Sequence, residues 1–191
     1  MASLDNPFDD IEATLKKAGA ALRDAQVPYL LGGSLAAWAR GGPETQHDLD
    51  LMIKPEDVDR ALTALEDAGM RKEIPPEDWL VKAWDGDVLV DLIHHPRGLM
   101  IDDEVLARGE ELSVRSFHVR VMALEDVLTT KLMALTEHSL RYDSLLRIAR
   151  ALREQVDWDY VREHTRESPF ARAYFVMLEG LGVLPQPAER K

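Results

Sequence analysis

The sequence predicts an α/β (α+β) protein with a helical C-terminal part, and three observations support this fold class. A strand, a glycine turn, a short helix and a second strand follow one another between Val27 and Ile53. Two further apolar runs flank the Asp-Gly dipeptide at 85–86, which is a signal for a tight hairpin. From Ala123 onward, apolar residues recur at the three- and four-residue spacing of amphipathic helices.

Most of the predicted elements have a local signal at one end. Asn6 can cap a helix whose first residue is Pro7, a position that suits proline. Pro55 starts another helix, which Gly69 ends. In chain order, the predicted elements are helix 7–24, strand 27–31, helix 35–40, loop 41–47, strand 48–53, helix 55–68, strands 79–84 and 88–93, a strand or hairpin over 112–121, and helices 124–136, 140–154, 157–164 and 170–181.

Length and composition limit the possible classes of protein. A chain of 191 residues can hold one substantial core with a helical appendage, and we divide it into a core over 1–121, a helical part over 122–184 packed on that core, and a tail over 185–191. No apolar run approaches the roughly 18 residues that a membrane span needs. The N-terminus is acidic and lacks the regions of a signal peptide, and there is no cysteine. We therefore expect a cytoplasmic protein without disulfides.

The turn after the first strand contains Gly32, Gly33 and Ser34. The two glycines remove side chains that would block the close approach of a phosphate. Ser34 adds a hydroxyl and can cap the short helix that follows. This turn is therefore a candidate phosphate-binding site.

The second strand carries two acidic residues, Asp48 and Asp50. Because side chains alternate along a strand, both carboxylates point to the same face, with Leu49 and Leu51 on the other. Two such carboxylates repel each other unless they share a cation, and Mg²⁺ prefers carboxylate and phosphate oxygens. The pattern predicts a magnesium–nucleotide site, although a plain strand–helix–strand turn before a solvated edge strand would give the same residues.

Gly-Gly-Ser, a short helix and Asp-x-Asp on a strand, in this order, resemble the signature of the nucleotidyltransferase superfamily, whose founder is DNA polymerase β. Thirteen residues separate Ser34 from Asp48. The resemblance implies a mixed sheet flanked by helices, with residues 1–121 as the catalytic core. It also implies transfer of a nucleoside monophosphate from a nucleoside triphosphate (NTP), with Mg²⁺ bound by the acids.

Asp91 lies within the apolar run Val88–Ile93, which has the pattern of a central strand. A lone carboxylate there is costly unless it is paired or binds a metal. The superfamily places its third acid at the corresponding point, so the resemblance assigns Asp91 to metal binding or to activation of the attacking hydroxyl. The structural alternative is an aspartate held in a salt bridge.

Lys131 falls within the apolar stripe of the helix predicted over 124–136. Lysine rarely faces a core without a partner, and either a carboxylate of the site or a nucleotide phosphate would serve as one. A lysine extended along the edge of the stripe is the structural alternative.

The segment ALEDVLTTKLMAL and the helix after it are also similar to the AbiEii- and MenT-type nucleotidyltransferase toxins of toxin–antitoxin systems. On that resemblance Lys131 and Asp143 match catalytic positions, and Arg141 matches a nearby basic one. An acid in the first turn of a helix is also favourable without any chemistry, and this is the alternative for Asp143. The resemblance implies that the acceptor is the 3′ end of tRNA and that a cognate antitoxin protein exists.

Charge is unevenly distributed along the chain, whose net charge is −12. Residues 1–111 hold 24 acidic and 11 basic residues, whereas residues 112–172 hold 9 and 10. An RNA substrate would therefore approach along the later half, where we predict RNA contacts for Arg141, Arg147 and Arg150. A solvated arginine face would explain the same residues.

Two other functions remain open from the sequence. The first is an antibiotic-modifying enzyme of the same fold that adenylylates a small cationic acceptor such as an aminoglycoside, which would suit the acidic first half. The second is an inert nucleotidyltransferase-like domain that acts as a binding partner, and the presence of three acids argues against it. Which NTP is used does not follow from the sequence.

Overall fold

A computed structural model describes residues 7–44, 49–115 and 117–186, and its elements are named here in chain order. The predicted cap Asn6, the acidic residue Asp48 and the last five residues of the tail lie outside these ranges. The helices are α1 (Pro7–Asp24), α2 (Gly33–Ala39), α3 (Val58–Asp67), α4 (Asp103–Arg108), α5 (Leu124–Met133), α6 (Tyr142–Leu152), α7 (Trp158–His164) and α8 (Pro169–Gly180). The strands are β1 (Tyr29–Leu31), β2 (Leu49–Ile53), β3 (Arg71–Glu73), β4 (Leu80–Asp85), β5 (Val88–Ile93), β6 (Glu110–Val114) and β7 (Phe117–Val121).

The seven described strands form one mixed sheet in the order β3-β4-β5-β2-β1-β7-β6. β2 lies parallel to β5 and antiparallel to β1, which is itself parallel to β7. Hairpins join β4 to β5 and β6 to β7. The predicted fold class, a mixed sheet flanked by helices with a helical C-terminal part, is confirmed.

Several boundaries differ from the prediction for local reasons. The short edge strand β3 and the one-and-a-half-turn helix α4 were not predicted, because neither is long enough to show a period. Helix α5 ends at Met133, short of the predicted residue 136, and Thr136 instead pairs with Ser139 in an isolated bridge. Helix α2 starts at Gly33, so Gly32 is the N-cap residue and Ser34 lies inside the helix. The prediction that Ser34 caps α2 is therefore wrong.

Apolar side chains form two clusters that meet at α5. The first packs α1 and α3 against the sheet and includes Val127 of α5. The second consists mainly of side chains from α5 to α8, with Leu124, Leu128 and Leu132 of α5 and Ala37 of α2. Helix α5 thus packs on both clusters, and the predicted division at residues 121 and 122 stays a prediction. In the parts of the chain that the structure describes, no helix is long and apolar enough to cross a membrane.

A buried ion pair attaches α5 to the elements on either side of it. The Asp126 side chain is 0% exposed, and Nη2 of Arg108 donates to both of its oxygens at 2.9 Å. The hydroxyl of Tyr160 in α7 donates to Oδ1 of Asp126 at 3.1 Å. Burial and the neighbouring carboxylate raise the pKa of Tyr160, so its hydroxyl keeps the proton that it donates. Asp126 therefore joins α4, α5 and α7.

We expect Asp126→Ala to lower the free energy of unfolding by about 1.5–3 kcal/mol, because it removes the charge-assisted hydrogen bonds that Arg108 and Tyr160 donate to the buried carboxylate. Urea denaturation measures this loss. The matched control is Glu104→Ala, which removes an exposed acid 3.8 Å from the same arginine and should cost less than about 1 kcal/mol. Equal losses in the two variants would contradict a structural role for the buried pair.

Candidate functional site

The turn between β1 and α2 lies directly on β2. The amide of Gly32 donates to the carbonyl oxygen of Asp50 at 2.8 Å. Gly33 has φ +57°, and a Cβ built on it would lie 1.6 Å from Oδ2 of Asp50. A Cβ on Gly32 would meet Cε of Met52 at 2.5 Å. Glycine is therefore required at position 33 by the close contact between the turn and β2 and by its positive φ, whereas at position 32 the flexible Met52 side chain could move aside.

The parallel pairing of β2 and β5 aligns Asp50 with Asp91. Aligned residues on neighbouring strands lie about 5 Å apart with their side chains on one face of the sheet. On the next strand, Lys82 of β4 is aligned with Asp91, and its Nζ lies 2.9 Å from Oδ1 of Asp91. Two acids and a lysine thus form a row across three strands.

Lys131 reaches this region from the last turn of α5. Its Nζ donates to Oγ of Ser34 at 3.1 Å. Burial lowers the pKa of Lys131, the Asp50 carboxylate acts in the opposite direction, and the Arg141 guanidinium lowers the pKa further. The structure thus brings together the predicted residues Gly33, Ser34, Asp50 and Lys131, which come from three separate segments of the sequence.

A cavity of about 640 Å³ opens beside this group and is lined by Gly33, Asp50 and Lys131. Its lining also includes Asp78, Trp79 and Arg97. Among the residues that the structure describes, neither Asp91 nor Asp143 lines this cavity. The volume is within the range of pockets that hold whole small-molecule ligands.

The other predicted site residues lie on α6 or just before it. Asp143 lies in the first turn of α6 and is exposed, as are Arg147 and Arg150. These three residues are spaced four and three apart, so they share one face of the helix. Arg141 precedes α6 and lies close enough to Lys131 to affect its pKa. The roles predicted for all four stay predictions.

The donor set fits a hard divalent cation only in part. Asp50 and Asp91 supply oxygen ligands of the type that Mg²⁺ prefers, on one face of neighbouring strands. Within residues 7–44, 49–115 and 117–186, no group of three or more histidine or acidic side chains could hold a metal ion. The predicted metal site therefore depends on Asp48, which lies outside the described residues.

The sequence did not indicate a role for Lys82 or for the residues that form the far wall of the cavity, which are Asp78, Trp79 and Arg97. The hairpin signal at 85–86 could have revealed Lys82, because a two-residue turn pairs Asp85 with Val88 and, three residues further, Lys82 with Asp91. The wall has no such signal, because its residues lie in irregular segments beside β4 and β5.

A protein-family model described as "Nucleotidyl transferase of unknown function (DUF2204)" matches residues 11–177 of the chain. The chain belongs to this family. The predicted membership of the nucleotidyltransferase superfamily and the predicted enzyme class are confirmed. No curated protein sequence matches this nucleotidyl transferase.

Solved structures support the same fold. A crystal structure of ANT(2'')-Ia in complex with adenylyl-2''-tobramycin matches with a TM-score of 0.62 and 19% identity, over 85% of this chain and 97% of that chain. A solution structure of the antibiotic-resistance factor ANT(2'')-Ia matches with a TM-score of 0.63 and 20% identity, over 91% of this chain and 98% of that chain. The lincomycin-bound lincosamide antibiotic adenylyltransferase LnuA matches with a TM-score of 0.54 and 14% identity, over 76% of this chain and 98% of that chain. At these identities the similarity shows the fold alone.

We expect Gly33→Ala in this nucleotidyl transferase to abolish nucleotide transfer, because the added methyl group must displace the Asp50 carboxylate. The matched control is Gly69→Ala, since Gly69 has φ +86° and no described atom lies within 4 Å of its Cβ position. Backbone strain alone should cost the control about 1–2 kcal/mol, and Gly33→Ala should lose roughly 1–3 kcal/mol more because of the steric overlap. Urea denaturation of both variants gives the difference. Equal losses, with transfer retained, would mean that the turn can move away from β2.

Proposed function

We propose that this enzyme binds a magnesium–NTP complex at Gly32, Gly33, Ser34, Asp50 and Lys131, and transfers the nucleoside monophosphate to a hydroxyl group. The observation that carries the proposal is the hydrogen bond from Lys131 to Ser34 beside the Asp50 carboxylate. A half-buried ammonium beside two glycines and an acid suits a triphosphate, because it supplies positive charge where phosphates can approach closely.

The proposed reaction assigns tasks to Lys131 and to the three acids. The acceptor oxygen forms a bond to the α-phosphorus, the bond between the α-phosphorus and the bridging oxygen breaks, and pyrophosphate leaves with that electron pair. Lys131 neutralises the charge that grows on the pyrophosphate. Asp91 takes the proton of the acceptor hydroxyl, and its ion pair with Lys82 orients the carboxylate. Asp48 and Asp50, with Asp91, would hold Mg²⁺, which supplies Lewis-acid stabilisation of the phosphate oxygens when bound.

Transfer and binding can be tested separately with variants of Lys131 and Asp50. Mg²⁺ with an NTP should raise the melting temperature of the wild type, and Asp50→Asn should remove that increase. Lys131→Met should slow transfer by a factor on the order of 10²–10³. Lys72→Met, which removes a surface ion pair with Glu66, is the control and should transfer at the wild-type rate. Full transfer by Lys131→Met would overturn the proposed role of this lysine.

For the acceptor, we propose the 3′ end of tRNA, with the enzyme acting as the toxin of a toxin–antitoxin system. The resemblance to AbiEii- and MenT-type toxins supports this role, and so does the exposed position of Arg147 and Arg150 on α6. Arg141 lies close enough to Lys131 to affect its pKa, and it precedes these two arginines in the sequence. The role also requires a cognate antitoxin protein, and a small adjacent reading frame would be consistent with one.

The RNA acceptor predicts a specific salt and charge dependence. Transfer to tRNA should weaken steeply with added salt, because phosphate contacts release counterions. Arg147→Glu combined with Arg150→Glu should raise the KM for tRNA about tenfold or more and leave NTP binding unchanged. Arg23→Glu with Arg166→Glu makes the same charge change at other exposed positions and should have a much smaller effect. Equal KM values for the two double variants would exclude the α6 face as the RNA contact.

A small cationic acceptor is the second candidate, and Asp78 on the cavity wall is the observation that favours it. Asp50 and Asp78 give the cavity two carboxylates that would pair with the ammonium groups of an amino sugar, beside the cationic side chains of Lys131 and Arg97. The fold shared with ANT(2'')-Ia, whose structure contains adenylyl-2''-tobramycin, is consistent with this alternative. Incubation with labelled NTPs and either total tRNA or an aminoglycoside panel distinguishes the two acceptors. Transfer to neither would support an inert binding domain.

A further inference from the structure

The cavity beside the proposed phosphate site extends to a wall that phosphate binding does not use. Gly33, Asp50 and Lys131 line one part of the cavity, and Trp79 lines another. Met52 and Ile93 also line the cavity and are aligned on neighbouring strands. They follow Asp50 and Asp91 by two residues on the same face of the sheet. Two residues along a strand span about 7 Å, so the apolar floor begins close to the acids.

Trp79 differs from the other three tryptophans in its surroundings. Its side chain is 40% exposed and faces the cavity. Trp38 packs against Phe8, and the indole nitrogens of Trp84 and Trp158 donate to Glu73 and to the carbonyl of Arg153. The three are therefore engaged inside the fold, whereas Trp79 presents part of its ring to the cavity.

The main chain holds Trp79 in place. Its carbonyl oxygen accepts hydrogen bonds from the amides of His94 and His95, both at 3.1 Å. These bonds attach the segment before β4 to the end of β5. The backbone that carries the indole is thus fixed before any ligand arrives, which reduces the entropy lost on binding.

We propose that Trp79 is the platform on which the nucleobase of the donor NTP stacks, with the triphosphate at Gly33 and Lys131. This proposal rests on the proposed function. One cavity is lined by a cationic side chain, an apolar floor and an aromatic face, which suit the phosphates, the sugar and the base of a nucleotide. Asp78 and Arg97 add one hydrogen-bond acceptor and one set of donors to the same wall, so the edges of different bases can be accommodated.

The test compares NTP with inorganic tripolyphosphate, which lacks the base. In the presence of Mg²⁺, Trp79→Ala should weaken the binding of ATP, GTP, CTP and UTP by roughly 10- to 100-fold. Binding of tripolyphosphate should be unchanged, and Trp79→Phe, which keeps an aromatic ring, should restore most of the NTP affinity. NTP should also quench tryptophan fluorescence in the wild type and in Trp84→Phe, and this quenching should be lost in Trp79→Phe.

Three results would overturn the proposal. NTP affinity equal to that of the wild type in Trp79→Ala would show that the base lies elsewhere. An equal loss of tripolyphosphate and NTP affinity would show that Trp79 acts only through the structure of the site. Normal NTP affinity with a raised KM for the acceptor would assign the wall to the acceptor. If the wild type binds neither NTP nor tripolyphosphate, the proposed function itself fails. This outcome is distinguishable from a failure of the Trp79 proposal alone, in which the wild type binds both.

Discussion

The contact between the β1–α2 turn and Asp50 is the constraint on which the candidate site depends. With Oδ2 of Asp50 only 1.6 Å from the place where a Cβ on Gly33 would lie, no other residue fits at this position without a shift. The hydrogen bond from the Gly32 amide to the Asp50 carbonyl also holds the main chain of the turn against the main chain of β2. The acid on β2 and the hydroxyl of Ser34 are therefore held together by backbone packing, which is more rigid than contacts between long side chains.

Helix α5 extends this constraint to the C-terminal helices. Its residue Lys131 reaches Ser34, while Asp126, five residues earlier, is held by Arg108 and Tyr160. Because α5 also packs on both apolar clusters, the position of the Lys131 ammonium depends on α7 as well as on the sheet. The helical part thus contributes to the candidate site by orienting one lysine, and the ion pair of Asp126 with Arg108 fixes the helix that carries it.

The sequence predicted the parts of this arrangement that arise from local patterns. The order of strands and helices and the positions of Gly33, Asp50 and Lys131 follow from periodicity, from glycine in a turn and from a lysine in an apolar stripe. The alignment of Asp50 with Asp91 required the strand order, and the indole of Trp79 required the path of an irregular segment. Neither is encoded in a short window, because both depend on contacts between elements that are distant in the chain. Asp48 and the roles assigned to the site residues stay predictions.

Local charge is a better guide to the substrate than net charge. The chain carries −12 overall, and its acidic excess lies in residues 1–111, which from the sequence alone argues against a polyanionic ligand. Around the proposed phosphate site, however, the acids Asp50 and Asp91 are matched by the ammonium groups of Lys131 and Lys82. These four described groups sum to no net charge, and short-range interactions dominate within a Debye length of about 8 Å. The predicted acid Asp48 lies outside the described residues and adds one negative charge, which a bound Mg²⁺ would offset. With that cation, the acidic composition is compatible with a triphosphate at the site.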